Sequence, residues 1–444
     1  MTKRHGYALL SAIIALVVGL CAAIYIGAGA DQRITGTSAF GKNGAAYDSA
    51  APASAGVWVG AWAAAPAGAE PGTESGGLAG RSIRNVVHTS VGGTSARITL
   101  SNLYGRSPLT ITHTSIAVAA APDGAAADAR SMRRLTFDGN PTVIVPAGGQ
   151  VLSDAVAVFV PPDSDVLVTT YSPTASGPVT YHPRARQISY LAVGDRTEDT
   201  SGAGYTEQTP YWRYLTALDV LSDEAEGTVV ALGDSLTDGI TSTPNADRRW
   251  TDVLSERLRT AVASGQDVPR YSVVNEGISG NQVLAAGTGR PADNQSGLDR
   301  FSRDVLSRPN VKVVVIELGV NDILRNPELA DPDRILAGLR TLVRRAHAHG
   351  VRVVGATLMP FQGHRGYSGA REAVRDEING EIRSGRVYDA VVDFDQALRD
   401  PYNPRGLRPD YDSGDHLHPS DRGYARMAQA VDLQALKGAP SARL

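Results

Sequence analysis

Cysteine is all but missing from this chain: of 444 residues only Cys21 carries a thiol. It lies within an apolar run near the start, so the protein beyond that run can form no disulfide. Charge of one sign is equally scarce. The 43 Lys and Arg face 46 Asp and Glu, for a net charge of -3 and a pI near 6.3. With no basic stripe and no block of like charges, nothing favours a nucleic-acid partner.

What is present begins with Lys3, Arg4 and His5 ahead of an apolar run from Tyr7 to Ile26, closed by Ala28, Gly29 and Ala30. This is the pattern of an export signal with a small-residue cleavage site. The alternative is an uncleaved anchor, since about 20 apolar residues just span a bilayer. Either reading covers residues 1–30 and places the rest outside the cytoplasm, secreted or held at the membrane. Leu20 stands before Cys21 where a lipoprotein signal wants a small residue, which argues against lipidation. Residues 31–55 are rich in Ala, Gly, Ser and Asp without apolar period and read as a flexible spacer.

From residue 56 to residue 222 the pattern is short period-two runs bounded by Gly, Pro, Asp and Asn, an all-β signature. Ser95 to Ser101 is the clearest: Ala96, Ile98 and Leu100 fall on one face and Arg97, Thr99 and Ser101 on the other. Similar runs at Ile83–Val87, Leu109–Val118, Thr142–Val145, Leu152–Val160, Val166–Tyr171 and Ile188–Val193 predict a β-sandwich or jelly roll. The polar stretch Ser222–Gly227 ends this region. From residue 226 to 436, strands at 272–275, 311–318, 351–358 and 391–394 alternate with helices at 249–263, 298–307, 332–349, 370–383 and 421–435. That alternation predicts a parallel, doubly wound sheet. The helix after Asp331 is the best marked: Asp331 suits the N-cap, Pro332 the first turn and Gly350 the stop. Ile335, Leu339, Leu342, Val343 and Ala346 share its apolar face.

The stretch Thr228–Gly239, TVVALGDSLTDG, joins the chemistry to the fold. Val229 to Leu232 read as a strand buried on both faces, Gly233 breaks it, and Ser235 stands at its carboxyl end, where ligands bind in open α/β sheets. A serine hydroxyl needs a base to become a nucleophile. Near the far end Asp415 and His418, in YDSGDHLHP, lie three residues apart before the last helix, close enough for one loop to hold an imidazole and the carboxylate that orients it. The ordinary alternative for Ser235 is a helix cap, a role serine fills well.

Four ordered blocks settle the comparison: Gly233–Leu236, Gly277–Asn281, Gly319–Asp322 and Asp415–His418. With them the chain resembles the GDSL or SGNH hydrolases, serine esterases and lipases with a flavodoxin-like α/β/α sandwich, over residues 226–436. The resemblance implies a serine esterase that hydrolyses carboxylic esters without metal or cofactor. It implies Ser235, His418 and Asp415 as the triad, and an oxyanion hole from the backbone N–H groups of Ser235 and Gly280 and the side-chain amide of Asn321. Asn321 has an ordinary reading as an Asx turn after its strand. Gly277–Gly280 approach a GxSxG elbow, but Asn281 stands where the last glycine belongs, so Ser279 reads as a turn residue. His416 beside His418 raises a zinc site as a lesser alternative.

The motifs leave the substrate open. Phe361, His364, Tyr367, Tyr402 and Tyr411 lie on the loops 360–369 and 400–414, where they either meet a sugar or acyl group or close the loops over the core. The β-rich first half resembles the layout of some sugar acetylesterases, which implies acyl esters of carbohydrates. A lipase or lysophospholipase is the alternative, and a surface-binding protein with a vestigial hydrolase is a third reading of another class.

Overall fold

The computed structural model describes residues 56–286, 294–326 and 330–438. The expected signal or anchor (1–30) and the spacer (31–55) lie outside the described residues. Among the described residues no helix is long and apolar enough to cross a membrane.

Alternation builds the first half. In the strand Gly93–Ser101, Ala96, Ile98 and Leu100 are buried while Arg97 and Thr99 stay partly exposed. This strand pairs antiparallel with Leu215–Ser222, which in turn pairs with Val57–Ala63, and Val156–Val160 closes the other side. A second antiparallel sheet runs Glu207–Thr209, Ser189–Val193, Arg81–His88, Asp165–Ser172, His113–Val118 and Arg133–Arg134. Inner faces of both sheets meet in one core, Ile98, Leu100, Leu218 and Val220 against Ile83, Val87, Ile116 and Val168. The first half is therefore a β-sandwich.

Two of the expected strands are each split. The run 109–118 breaks at Thr112, so that Leu109–Ile111 pairs with Val143–Val145 while His113–Val118 joins the large sheet. The run 152–160 divides in the same way into Gln150–Leu152 and Val156–Val160.

After the junction 223–226 the ladder becomes parallel. The strands β1 (Gly227–Gly233), β2 (Tyr271–Gly277), β3 (Val311–Glu317), β4 (Arg352–Ala356) and β5 (Ala390–Val392) lie in the order β2-β1-β3-β4-β5. That is the flavodoxin-like order 2-1-3-4-5. Apolar side chains on both faces explain why the middle strands are buried. Val229, Ala231, Val313 and Val315 pack against helices α1 (Trp250–Ala263) and α4 (Asp421–Ala430). Val230, Leu232, Val314 and Ile316 pack on the other side with α2 (Pro332–His347) and α3 (Gly369–Arg383). In α2 the Asp331 side chain accepts from the N–H groups of Asp333 and Arg334, Pro332 opens the first turn, and the five expected face residues are buried.

The two halves share contacts within one compact unit. Ala63 of the first antiparallel strand sits in the core with Val230 and Val274. The Gly60 N–H donates to Thr228 Oγ1 at 3.1 Å, and the Val273 N–H of edge strand β2 donates to Ser90 Oγ at 3.3 Å. His88 lies between Asp163 and Asp165 of the sandwich and Asp247 of the α/β half, at 3.1, 3.0 and 3.3 Å.

Candidate active site

Every block singled out in the sequence falls at the carboxyl edge of the parallel sheet. Ser235 opens a single helical turn, Ser235–Asp238, directly after β1, and the Asp234 side chain caps it by accepting from the Leu236 N–H. No Cβ fits at Gly233, where one would come within 2.0 Å of Thr237 Oγ1. Thr237 in turn donates to Glu317 Oε2 at the end of β3, so the turn is pinned to the sheet from below. Burial, with Asp234 beside it, pushes the Glu317 carboxyl well above its ordinary range.

The loop before α4 brings His418 to Ser235. His418 Nε2 lies 2.8 Å from Ser235 Oγ, and its Nδ1 lies 2.6 Å from Asp415 Oδ2. Since a carboxylate only accepts, Nδ1 carries the proton and Nε2 presents its lone pair to the serine hydroxyl. Partial burial alone would raise the Asp415 carboxyl. The His418 ring, the His418 N–H and the Leu417 N–H outweigh it and hold the group well below the usual carboxylate range. Its neighbour His416 is paired elsewhere, with Asp412 Oδ2 at 2.6 Å, so the two histidines do not share a carboxylate.

Ser235, Gly280, Asn321 and His418 line one pocket of about 300 Å³. Gly280 follows β2 with a φ of 79°, a conformation that costs other residues energy. Asn321 sits in the short helix Val320–Leu324 after β3 rather than in a free turn. Its amide donates to Asp234 Oδ2 at 2.9 Å and its Oδ1 accepts from Arg325 Nε at 3.0 Å. An amide NH₂ has two hydrogens, so one remains for a ligand in the pocket.

Ser279 is a turn residue tied to a carboxylate: both its N–H and its hydroxyl donate to Asp238 Oδ2. Asp238 Oδ1 meets Nε2 of the buried His182 at 2.9 Å, and His182 Nδ1 faces the Ala65 carbonyl at 2.9 Å. A residue of the β-sandwich thus braces the loop that carries Gly280. Arg300, fully buried, ties the same loop from the other side. Its guanidinium donates to Asn281 Oδ1 and to the carbonyls of Glu276 and Gly233, at 2.7 to 2.9 Å. Neither His182 nor Arg300 stands out in the sequence, because their partners are far away along the chain and belong to no motif.

Of the loop aromatics, Phe361 is buried in the core with Tyr367 edge-on at 5.8 Å. Tyr411 packs under Arg408, Tyr402 is almost fully exposed, and His364 alone lines the pocket. Burial lowers the His364 pKa, and His418, Arg365 and His416 push the same way against Asp415.

Residues 231–426 match the model of the GDSL-like lipase/acylhydrolase family. Among solved structures the chain is similar to a GDSL-like lipase from Bacteroides thetaiotaomicron VPI-5482, at 21% identity over 46% of this chain and 84% of that one, with a TM-score of 0.32. It is similar also to Est24, a carbohydrate acetylesterase from Sinorhizobium meliloti, at 18% identity over 46% of this chain and 96% of that one, TM-score 0.35. A member of the lipolytic protein G-D-S-L family from Veillonella parvula DSM 2008 gives 18%, 46%, 96% and 0.32 for the same quantities. No curated protein matches the chain. The match falls on the second half of the chain, with Ser235 after its first parallel strand and His418 before its last helix, and is to the GDSL-like lipase/acylhydrolase family over residues 231–426.

Proposed function

We propose that the protein is a serine esterase that hydrolyses carboxylic esters through Ser235, His418 and Asp415. The observation that carries this is the unbroken chain of hydrogen bonds from Ser235 Oγ through the His418 ring to Asp415. As Ser235 Oγ attacks the ester carbonyl, His418 Nε2 takes its proton and passes it to the leaving alcohol. Asp415 holds the tautomer and stabilises the imidazolium. The acyl-enzyme is released when His418 deprotonates a water that attacks the same carbon. Negative charge on the carbonyl oxygen is met by the N–H groups of Ser235 and Gly280 and the Asn321 amide, a stabilisation worth more in a partly enclosed site than in water.

Among esters, short acyl groups on a carbohydrate or other polar alcohol fit the pocket better than long chains. Its volume is about 300 Å³, and Phe361, which could have walled an acyl channel, is spent in the core. This reading places the protein outside the cytoplasm, on the strength of the apolar leader at residues 7–26.

The test is labelling with a fluorophosphonate probe followed by turnover of 4-nitrophenyl esters of graded chain length. Wild-type protein should be labelled on Ser235 and prefer acetate, and Ser235→Ala should lose both label and turnover. A folded Ser235→Ala protein that keeps its turnover would refute the assignment, and a preference for long chains would favour the lipid esterase instead.

A further inference from the structure

The pocket around Ser235 is lined by three arginines that come from three separate parts of the chain. Arg325 follows the short helix after β3, Arg365 lies in the loop after β4, and Arg184 comes from the β-sandwich. No Asp or Glu is among the described residues that line it. The excess is local, since acidic residues outnumber basic ones over the whole chain, 46 to 43.

Arg184 is carried on a segment fastened at both sides. Two residues before it, the buried His182 bonds to Asp238 at the end of the Ser235 turn. Two residues after it, Arg186 Nε donates to Ser242 Oγ at 3.3 Å, and the Arg186 carbonyl accepts from the Asn245 N–H at 2.8 Å. The Ile188 N–H then donates to Asn245 Oδ1 at 2.8 Å. Arg186 itself has a φ of 55°, a left-handed backbone that costs a non-glycine residue energy and persists only where surrounding bonds impose it. A segment of the sandwich is thus bent and bolted onto the loop after Ser235, with the Arg184 side chain exposed beside the pocket. Arg325, which lines the same pocket, has its guanidinium oriented by its bond to Asn321 Oδ1.

We infer that the site takes an ester bearing an anionic group, a carboxylate or a phosphate, which this arginine rim holds while Ser235 meets the acyl carbon. A guanidinium presents a planar fork of N–H donors that matches either anion with two parallel bonds, and it keeps its charge at any physiological pH. This inference rests on the esterase reading of Ser235 and adds the charge of the substrate to it. It also gives the β-sandwich a part in selecting the substrate, through Arg184.

The test compares kcat/KM of the full chain on esters that differ in charge. On the alcohol side, 4-acetoxybenzoate and 4-acetoxyphenyl phosphate are set against phenyl acetate. On the acyl side, 4-nitrophenyl hydrogen succinate is set against 4-nitrophenyl butyrate. At least one anionic ester should exceed its neutral counterpart by roughly tenfold or more at low salt, and that ratio should shrink as salt rises. Which member wins tells carboxylate from phosphate and alcohol side from acyl side. In Arg184→Gln and in Arg365→Gln the ratio should fall towards one, and Arg184→Lys should restore part of it. Ser235-dependent turnover of the neutral esters with no anionic preference, or a preference that both Gln variants retain in full, would overturn the inference alone. Absence of Ser235-dependent turnover on every ester would overturn the esterase reading and this one together.

Discussion

Asn321 tests the site at the level of one side chain. If its amide meets the developing oxyanion, Asn321→Ala should lower kcat by about 100- to 1000-fold with little change in the fold. Steady-state kinetics beside a circular dichroism spectrum decide it, and unchanged turnover would remove Asn321 from the site. Arg300 is a structural counterpart. Replacing it with Met removes a donor from four buried acceptors, Asn281 Oδ1, the Glu276 and Gly233 carbonyls and the Asp304 carboxylate. It should cost about 3–5 kcal/mol in denaturant unfolding. Glu276 lies fully buried near Arg308, and burial pushes its carboxyl up to about 8. A raised carboxylate binds its proton more tightly folded than unfolded, so stability falls as pH rises from its ordinary value of 4.5 through about 8. Glu276→Gln should therefore gain most in thermal stability at pH values above that window and little below it. An equal effect on both sides would be the contrary result. Ser235 and His418 could be picked out from the sequence because each stands in a short block with a chemical purpose. The brace of His182 on Asp238 could not, since nothing within a few residues of either names the other.

At the scale of the element, α2 shows why local chemistry can be read in advance. Its cap, its proline and its apolar stripe all lie within one stretch, and the helix runs from Pro332 to His347 as that stretch dictates. Asp331→Ala removes the acceptor of two end N–H groups and should cost about 1 kcal/mol in chemical unfolding. An unchanged midpoint would mean that solvent replaces the cap without loss. Elements whose limits depend on distant partners are less legible. The run 109–118 alternates as one strand would, yet its first part bonds to Val143–Val145 and its second to Asp165–Ser172. Likewise the stretch 298–307 begins as an α-helix and loosens into a π-turn at Ser302–Leu306, where Arg300 and Asp304 are drawn into a buried ion pair. Strand β5 ends at Val392 because Asp393 caps a new turn starting at Phe394.

For the whole molecule, the sandwich was legible from its period of two and the parallel sheet from the alternation of strands and helices, whereas the flavodoxin-like arrangement was only implied by the resemblance to the GDSL hydrolases. How the halves touch was not legible, since those contacts are single residues scattered along the chain. His88 is the clearest of them. Burial works against its proton, but Asp165, Asp247 and Asp163 prevail and raise its pKa to about 9. A raised histidine contributes stability that is complete below its unfolded value near 6.5 and is lost as pH climbs through about 9. Thermal melts of the wild type should therefore fall across that window, and those of His88→Gln should start lower and decline less. Parallel curves for the two proteins would show that His88 does not link the halves in this way.

The Ser90 hydroxyl of the β-sandwich accepts the N–H of Val273, which lies on β2, the outermost parallel strand. An open ladder rim of that kind is an invitation to neighbouring chains. Cut at the junction 223–226, the catalytic half would lose its guard as well as Arg184, and the first symptom to look for is self-association rather than a slower enzyme.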